Sequence, residues 1–276
     1  MRDGAGMLKQ RLLVAVVGVP LALLVIIWGG YAFLAFALFI ALFGLHEYYT
    51  MIRPYRPNLL LGYVAGAGTL VAVYFAGLSG LAGGLAATLV LLVVWSLRAG
   101  PGDHLTGRMG VTAFGLVWVV MGTSYLVMLR ALEHGVALLL LAVGVTWFND
   151  TFAYAVGRLV GRHRLAPRIS PNKTIEGAIG GLVGSVLFAI GVKIYNPEWL
   201  SLRDAVILGV AVGVAGQLGD LLESAVKRDL RVKDSGRILP GHGGVLDRFD
   251  SIFLAGVVTY WVAWLLLRQS VGGFPL

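Results

Sequence analysis

The chain has 276 residues, of which 58% are apolar and only 13% charged, with a formal charge of +8 and no cysteine. This composition lies far outside that of soluble domains and marks an integral membrane protein. It excludes a disulfide framework, a thiolate metal site and a cysteine nucleophile. The cations sit in short gaps between apolar segments rather than in a basic tail, which excludes nucleic acid as a partner.

Apolar segments run over 12–28, 31–49, 59–76, 78–97, 111–129, 136–156, 175–194, 205–222 and 252–267. Each is close to the roughly 20 residues that a membrane-spanning helix needs. The first has a basic lead-in, Lys9 and Arg11, like a signal peptide. It lacks a small-residue cleavage site and meets the next segment after Gly29 and Gly30, so it is expected to be a retained helix. The expected fold is an all-α polytopic membrane protein of about nine transmembrane helices. It forms one domain over 1–276, with 1–149 a helical N-terminal part and 150–276 the part that carries the polar motifs.

Nine spans place alternate gaps on opposite sides of the membrane. With the N-terminus in the cytoplasm, eighteen of the 22 Lys and Arg residues fall inside and four, Arg130, Lys193, Arg203 and Arg268, fall outside. The positive-inside rule favours this orientation and an odd number of spans, which puts the C-terminus outside. Glycine is abundant, with 39 residues, and recurs at small-residue spacing in Gly177, Gly180, Gly181 and Gly184 and in Gly213, Gly216 and Gly219. In membranes that pattern indicates close helix packing.

Two polar gaps interrupt the C-terminal half. The first opens with Asp150, Tyr154, Gly157 and Arg158 and closes with the run SPNKTIEG over 170–177. Pro171, Asn172, Lys173 and Thr174 read as a loop entering a helix at Ile175. Thr174 is its expected cap, and Lys173 stands beside a helix terminus that attracts anions. The second gap, over 219–251, is dense in charge. Asp220, Glu223, Ser224 and Lys227 share one helical face, because they are spaced three, four and seven residues apart. Asp247 and Asp250 open the last apolar segment, and the link between carries Gly236, Pro240, Gly241, Gly243 and Gly244.

Four carboxylates converging at one membrane surface repel unless a cation or protons compensate. Oxygen ligands without His or Cys suit a hard cation, so Asp220, Asp247, Glu223 and Asp250 are expected ligands of Mg²⁺. The alternative is that they pair with Lys227, Arg228 and Arg248 as structural salt bridges. Lys227, Arg228, Lys233 and Arg237 would neutralise phosphates on such a metal. The turn His242, Gly243, Gly244 lets backbone amides approach an anion. His46 and Glu47 end the second span, and Glu47 is expected to be a buried partner for one of the loop cations.

At these residues the sequence resembles the phosphatidate cytidylyltransferase family. Its long signature matches Ser224, Lys227, Arg228, Lys233, Asp234, Pro240, His242, Gly243, Gly244, Asp247, Arg248 and Asp250. The stretches 150–158 and 170–177 resemble two further family motifs, the second with Asn172 where many members have Lys. The resemblance implies an enzyme of phospholipid biosynthesis that joins CTP and phosphatidic acid to give CDP-diacylglycerol and pyrophosphate. It implies Mg²⁺, a second monovalent cation such as K⁺, and a homodimer. It also implies a multi-pass protein of the bacterial inner membrane, among membrane lipids, with its active site on the cytoplasmic side. Asp220, Asp247, Lys227, Arg228 and Asp250 are the implied catalytic residues. Substrate binding falls to Asp150, Ser170, Asn172, Lys173, Thr174, Ser224, Lys233, His242, Gly243, Gly244 and Arg248. Two rival functions share part of this physics: a CTP-dependent kinase or cytidylyltransferase acting on an ether or prenyl lipid, and an ion or solute transporter. A transporter site is expected near the midplane in an inverted repeat, and no repeat is visible.

Overall fold

A computed structural model describes residues 3–100, 102, 104–236, 238 and 243–267, with side chains described from Val16 onward. The chain forms helices α1 (Asp3–Trp28), α2 (Gly30–Met51), α3 (Leu59–Ala99), α4 (Leu105–Gly115), α5 (Met121–Ala131), α6 (Gly135–Val160), α7 (Ile175–Tyr195), α8 (Leu202–Asp229) and α9 (Leu246–Leu267). Between α6 and α7 lies a two-stranded antiparallel sheet, β1 (Arg164–Ala166) and β2 (Ser170–Thr174). Among the described residues, seven helical stretches are long and apolar enough to cross a membrane, with Val16–Trp28 a shorter apolar helix. The protein is therefore a helical, polytopic membrane protein. Its outward faces agree, since Leu60, Phe75, Leu89, Leu187 and Leu218 are exposed and would be unfavourable in water but not in lipid.

Two compact units are present. The first comprises the chain up to Met128 together with Leu230–Arg248, and the second comprises Leu129–Asp229 together with the stretch from Phe249 onward.

In the first unit, α3 counts as one stretch of 41 residues, but it is not one straight helix. Gly77 has φ 54° and ψ −129°, a non-helical conformation that favours glycine. Beyond it the chain doubles back. A Cβ on Gly80 would stand 2.1 Å from the Ala72 carbonyl oxygen, and one on Gly84 would stand 2.6 Å from Thr69 Oγ1. Along a continuous helix residues 72 and 80 would be about 12 Å apart. The segments 59–76 and 78–97 expected from the sequence are thus the two arms of a tight helical hairpin. Asn58 caps the first arm by accepting from the Leu61 N–H at 3.1 Å. The buried Tyr48 and Tyr49 of α2 donate to the Val111 and Thr112 carbonyls of α4 at 3.2 and 3.0 Å. A π-helical turn, Leu116–Val120, follows and joins α4 to α5.

The second unit is built on α6, α7, α8 and most of α9. Leu141 and Val145 of α6, Ala189 of α7, Leu208 and Val212 of α8 and Ala255 of α9 form its apolar core. The glycines of α7 bring α6 close: a Cβ on Gly180 would lie 2.5 Å from Val156, and one on Gly184 would lie 2.7 Å from Phe152. Close packing of small residues is how helices associate where lipid removes the hydrophobic drive.

Candidate active site

In the second unit the polar gap between α6 and α7 is an ordered hairpin rather than an open loop. Arg164 pairs with Thr174 and Ala166 with Ser170. The expected cap is present, with Thr174 Oγ1 accepting from the Gly177 N–H at 3.1 Å. Glu176, in the first turn of α7, accepts from the Arg162 N–H at 3.0 Å and stands 2.6 Å from His163 Nδ1, which fixes the entry to the hairpin. A carboxylate in this first turn also complements the helix dipole.

So held, β2 presents Lys173 to α8, where its ammonium donates to Asp220 Oδ2. Ser224 Oγ approaches the other oxygen of Asp220 at 3.4 Å. One turn further along α8, Arg228 Nε donates to the Ile169 carbonyl of the hairpin turn at 3.2 Å. The hairpin is therefore tied to α8 at two heights. Lys227 donates to the buried Glu223 at 2.8 Å. Asp250, also buried, has Asp220, Glu223 and Lys227 as its electrostatic neighbours. The contact is close because a Cβ on Gly219 would stand 2.5 Å from the Asp250 carbonyl oxygen.

Between α6, the hairpin and α8 lies a cavity of about 450 Å³, within the usual size of a small-molecule site. Asp150, Tyr154 and Arg158 of α6, Asn172 and Lys173 of β2, and Gln217 and Asp220 of α8 contribute its polar lining. Thr174 also lines it, whereas Ser170 does not. Asp150, Asn172, Lys173, Thr174 and Asp220, expected from the sequence as site residues, are thus brought together.

In the first unit the charged link is closed at its base by two carboxylates. Glu47, at the C-terminal end of α2 and buried, accepts from the Val245 N–H at 3.0 Å, the Leu246 N–H at 2.8 Å and Ser235 Oγ at 3.3 Å. Asp247 accepts from the Ser235 N–H at 3.0 Å and the Gly244 N–H at 2.8 Å. Space for this closure depends on glycine. A Cβ on Gly236 would stand 2.3 Å from Glu47 Oε1, and one on Gly244 would stand 2.2 Å from Ser235 Oγ. Gly243 turns with φ 81°. The expected cationic partner of Glu47 is replaced by backbone N–H groups and a hydroxyl, which lie where α9 begins and its dipole is positive. Lys233 and Arg248 are exposed. His242, like Arg237, Pro240 and Gly241, lies outside the described residues.

Sequence reasoning missed Asn149 and Gln217, neutral amides inside apolar helices that join across the cavity wall at 3.1 Å. Their signal was the polar side chain within a span, which the weight placed on charge passed over. Among the described residues no group of three or more His, Cys, Asp or Glu side chains is arranged to hold a metal ion. The donor chemistry of the acidic residues nonetheless fits a hard cation that keeps several waters, since all are oxygen ligands. Asp220 already carries a positive group, the Lys173 ammonium.

A helical membrane protein whose polar cavity sets fixed cations beside a half-buried carboxylate belongs to the class that handles phosphorylated substrates at a bilayer. Residues 9–266 match the sequence model of the cytidylyltransferase family. A phosphatidate cytidylyltransferase of Staphylococcus haemolyticus is 36% identical over 256 residues, covering 88% of this chain and 94% of that protein. One of Staphylococcus epidermidis is 33% identical over 264 residues with the same coverage. One of Staphylococcus saprophyticus is 48% identical over 136 residues, a match that spans 49% of this chain and about half of that relative, 52%. The chain belongs to the cytidylyltransferase family.

Proposed function

We infer that the protein transfers the cytidylyl group of CTP to phosphatidic acid, giving CDP-diacylglycerol and pyrophosphate. The observation that carries this reading is the cavity in which Lys173 and Arg158 stand with Asp220, in a chain matched almost end to end by phosphatidate cytidylyltransferases. A phosphate oxygen of phosphatidic acid attacks the α-phosphorus of CTP, and the bond from that phosphorus to the bridging oxygen of the β-phosphate breaks. Pyrophosphate leaves with that oxygen. The nucleophile is already anionic, so no general base is needed, and catalysis rests on positioning and charge neutralisation.

Lys173 and Arg158 neutralise the triphosphate, and Asn172 and the capped start of α7 orient it. Lys227, Arg228 and Lys233 escort the pyrophosphate. Asp220 and Asp247 would hold Mg²⁺, with Glu223 and Asp250 supporting. Bound there, the metal supplies charge stabilisation at the phosphates. K⁺ as a second cation and a homodimeric assembly are further proposals that follow from the family resemblance.

The test is incubation of purified protein in detergent with cytidine-labelled CTP, phosphatidic acid and Mg²⁺. Label is expected in a lipid product only when phosphatidic acid is present, and a chelator should abolish it. Label appearing only with a different lipid acceptor, or none at all, would overturn the assignment.

For topology we propose nine spans with a cytoplasmic N-terminus and active site. Support comes from the reversal at Gly77, which divides α3 into two arms, from the helix α1, and from the partition of Lys and Arg. A reporter fused after Leu276 is expected outside the cytoplasm, and one inserted within 100–106 is expected inside. Both on the same side would rule out this arrangement.

A further inference from the structure

We propose that Gln217 reads the base of the nucleotide, accepting a hydrogen bond from the exocyclic amino group of cytosine, and that Asn149 is the positioning residue that locks it for this task. The inference rests on the reading of the cavity as the nucleotide site and deepens it.

Asn149 is 1% exposed. Its Nδ2 donates to the Gly213 carbonyl at 3.2 Å and to Ser185 Oγ at 2.8 Å. Ser185 in turn donates to the Gly181 carbonyl at 3.0 Å. A carbonyl only accepts, so the Asn149 amide has one permitted orientation, which aims Oδ1 at Gln217. Gln217 Nε2 donates to that Oδ1 at 3.1 Å and to the Ala178 carbonyl at 2.9 Å. Again a backbone carbonyl decides which end is nitrogen. Both hydrogens of each amide are consumed, and Gln217 cannot turn over without setting oxygen against oxygen at two places.

This leaves Gln217 Oε1. Among the described residues no donor meets it, and it is not among the buried polar atoms without a partner. It is therefore an accessible acceptor on a residue that lines the cavity. The glycines of α7 and α8 make room for this network. A Cβ on Gly181 would stand 2.7 Å from Asn149 Oδ1, and one on Gly213 would stand 2.5 Å from Ser185 Oγ.

An acceptor in the cavity that Lys173 and Arg158 also line does not serve ionised phosphates, which likewise only accept. The fully esterified glycerol of phosphatidic acid has no donor to give. The donors on CTP are the ribose hydroxyls and the amino group of the base. A hydroxyl both donates and accepts, so it would be served equally well by an amide free to turn. At position 4 cytosine offers an amino donor where uracil offers a carbonyl acceptor, with the opposite exchange at N3, so an amide held in one orientation opposite position 4 separates them. The lock is what makes base reading the favoured assignment.

The experiment measures protection of the purified protein from thermal denaturation by CTP, UTP and 2′-deoxy-CTP in Mg²⁺, together with turnover, for wild type, Gln217→Leu and Asn149→Ser. Wild type is expected to bind CTP more tightly than UTP by about 10- to 100-fold, the scale of one buried donor–acceptor mismatch. Gln217→Leu should bring the two nucleotides to within a few-fold of each other, chiefly by weakening CTP, with the phosphatidic acid KM unchanged. Asn149→Ser, which frees the amide, should raise UTP binding. A CTP to UTP ratio unchanged in Gln217→Leu overturns the proposal, as does a loss for CTP that disappears when 2′-deoxy-CTP is used, which would assign Oε1 to the ribose. Wild type that binds both nucleotides equally refutes base reading while leaving the transferase function intact. Wild type protected by neither nucleotide removes both. If Gln217→Leu does not fold, the Asn149→Ser ratio decides.

Discussion

Asp220→Asn is expected to lower turnover by about a thousandfold or more while leaving the protein folded. Asparagine keeps the size of the side chain, and Ser224 can still donate to its Oδ1, so the α8 surface is preserved. Lost are the charge that holds Lys173 and the ligand proposed for Mg²⁺. A metal centre contributes several kcal/mol to the transition state, and about 4 kcal/mol corresponds to a thousandfold in rate. The competing account, in which Asp220 serves only as the ion-pair partner of Lys173, makes a different prediction. The two substitutions would then share one interaction, and Asp220→Asn would cost no more than Lys173→Gln, about 1.5 to 3 kcal/mol for a charge-assisted hydrogen bond. Steady-state rates at saturating Mg²⁺ for both variants and their double mutant, beside thermal melts in the same detergent, separate the two. Near-normal turnover of Asp220→Asn would remove it from the metal site.

Glu47→Ala is expected to have the largest effect on stability. Truncation strips the Val245 and Leu246 N–H groups and the Ser235 hydroxyl of their shared acceptor in a buried setting. Each buried donor left without an acceptor costs about 1 to 3 kcal/mol. The base of the 235–246 link would open, and Asp247, held by the Ser235 and Gly244 N–H groups, would lose its placement. Glu47→Gln keeps one accepting oxygen but turns an NH₂ toward donors, so an intermediate loss is expected. The measurement is the rate of tryptic cleavage within 233–248 together with activity. Cleavage and turnover both unchanged in Glu47→Ala would show that the link is held without Glu47.

Local signals were legible in the sequence. Thr174 was readable as a cap because its partner is three residues away, and the reversal at 77 was readable because a short Gly-containing gap separates two apolar runs. The β1 and β2 hairpin was not, since strands of three and five residues with a single buried side chain, Thr174, leave no alternating pattern to detect. The significance of Glu47 is legible from its place at the end of an apolar span, but its partners are not, because an intramembrane carboxylate invites a charged one. Its donors are backbone groups that no composition rule points to. The Asn149 and Gln217 pair is separated by 68 positions and carries no charge, so only the assembled helices reveal it.

The Glu47 clamp also has a consequence in time. Its carboxylate and the Leu246 N–H are 199 positions apart in the chain. At a synthesis rate of roughly 5 to 20 residues per second, about 10 to 40 s pass between the emergence of one and of the other. Throughout that interval α2 carries an acidic side chain still waiting for its donors. The nascent chain must therefore shelter Glu47 by other means, as water at the bilayer edge or a bound proton would do. The closure on Glu47 forms only after the start of α9 has emerged, so a truncated product that stops short of α9 cannot make it.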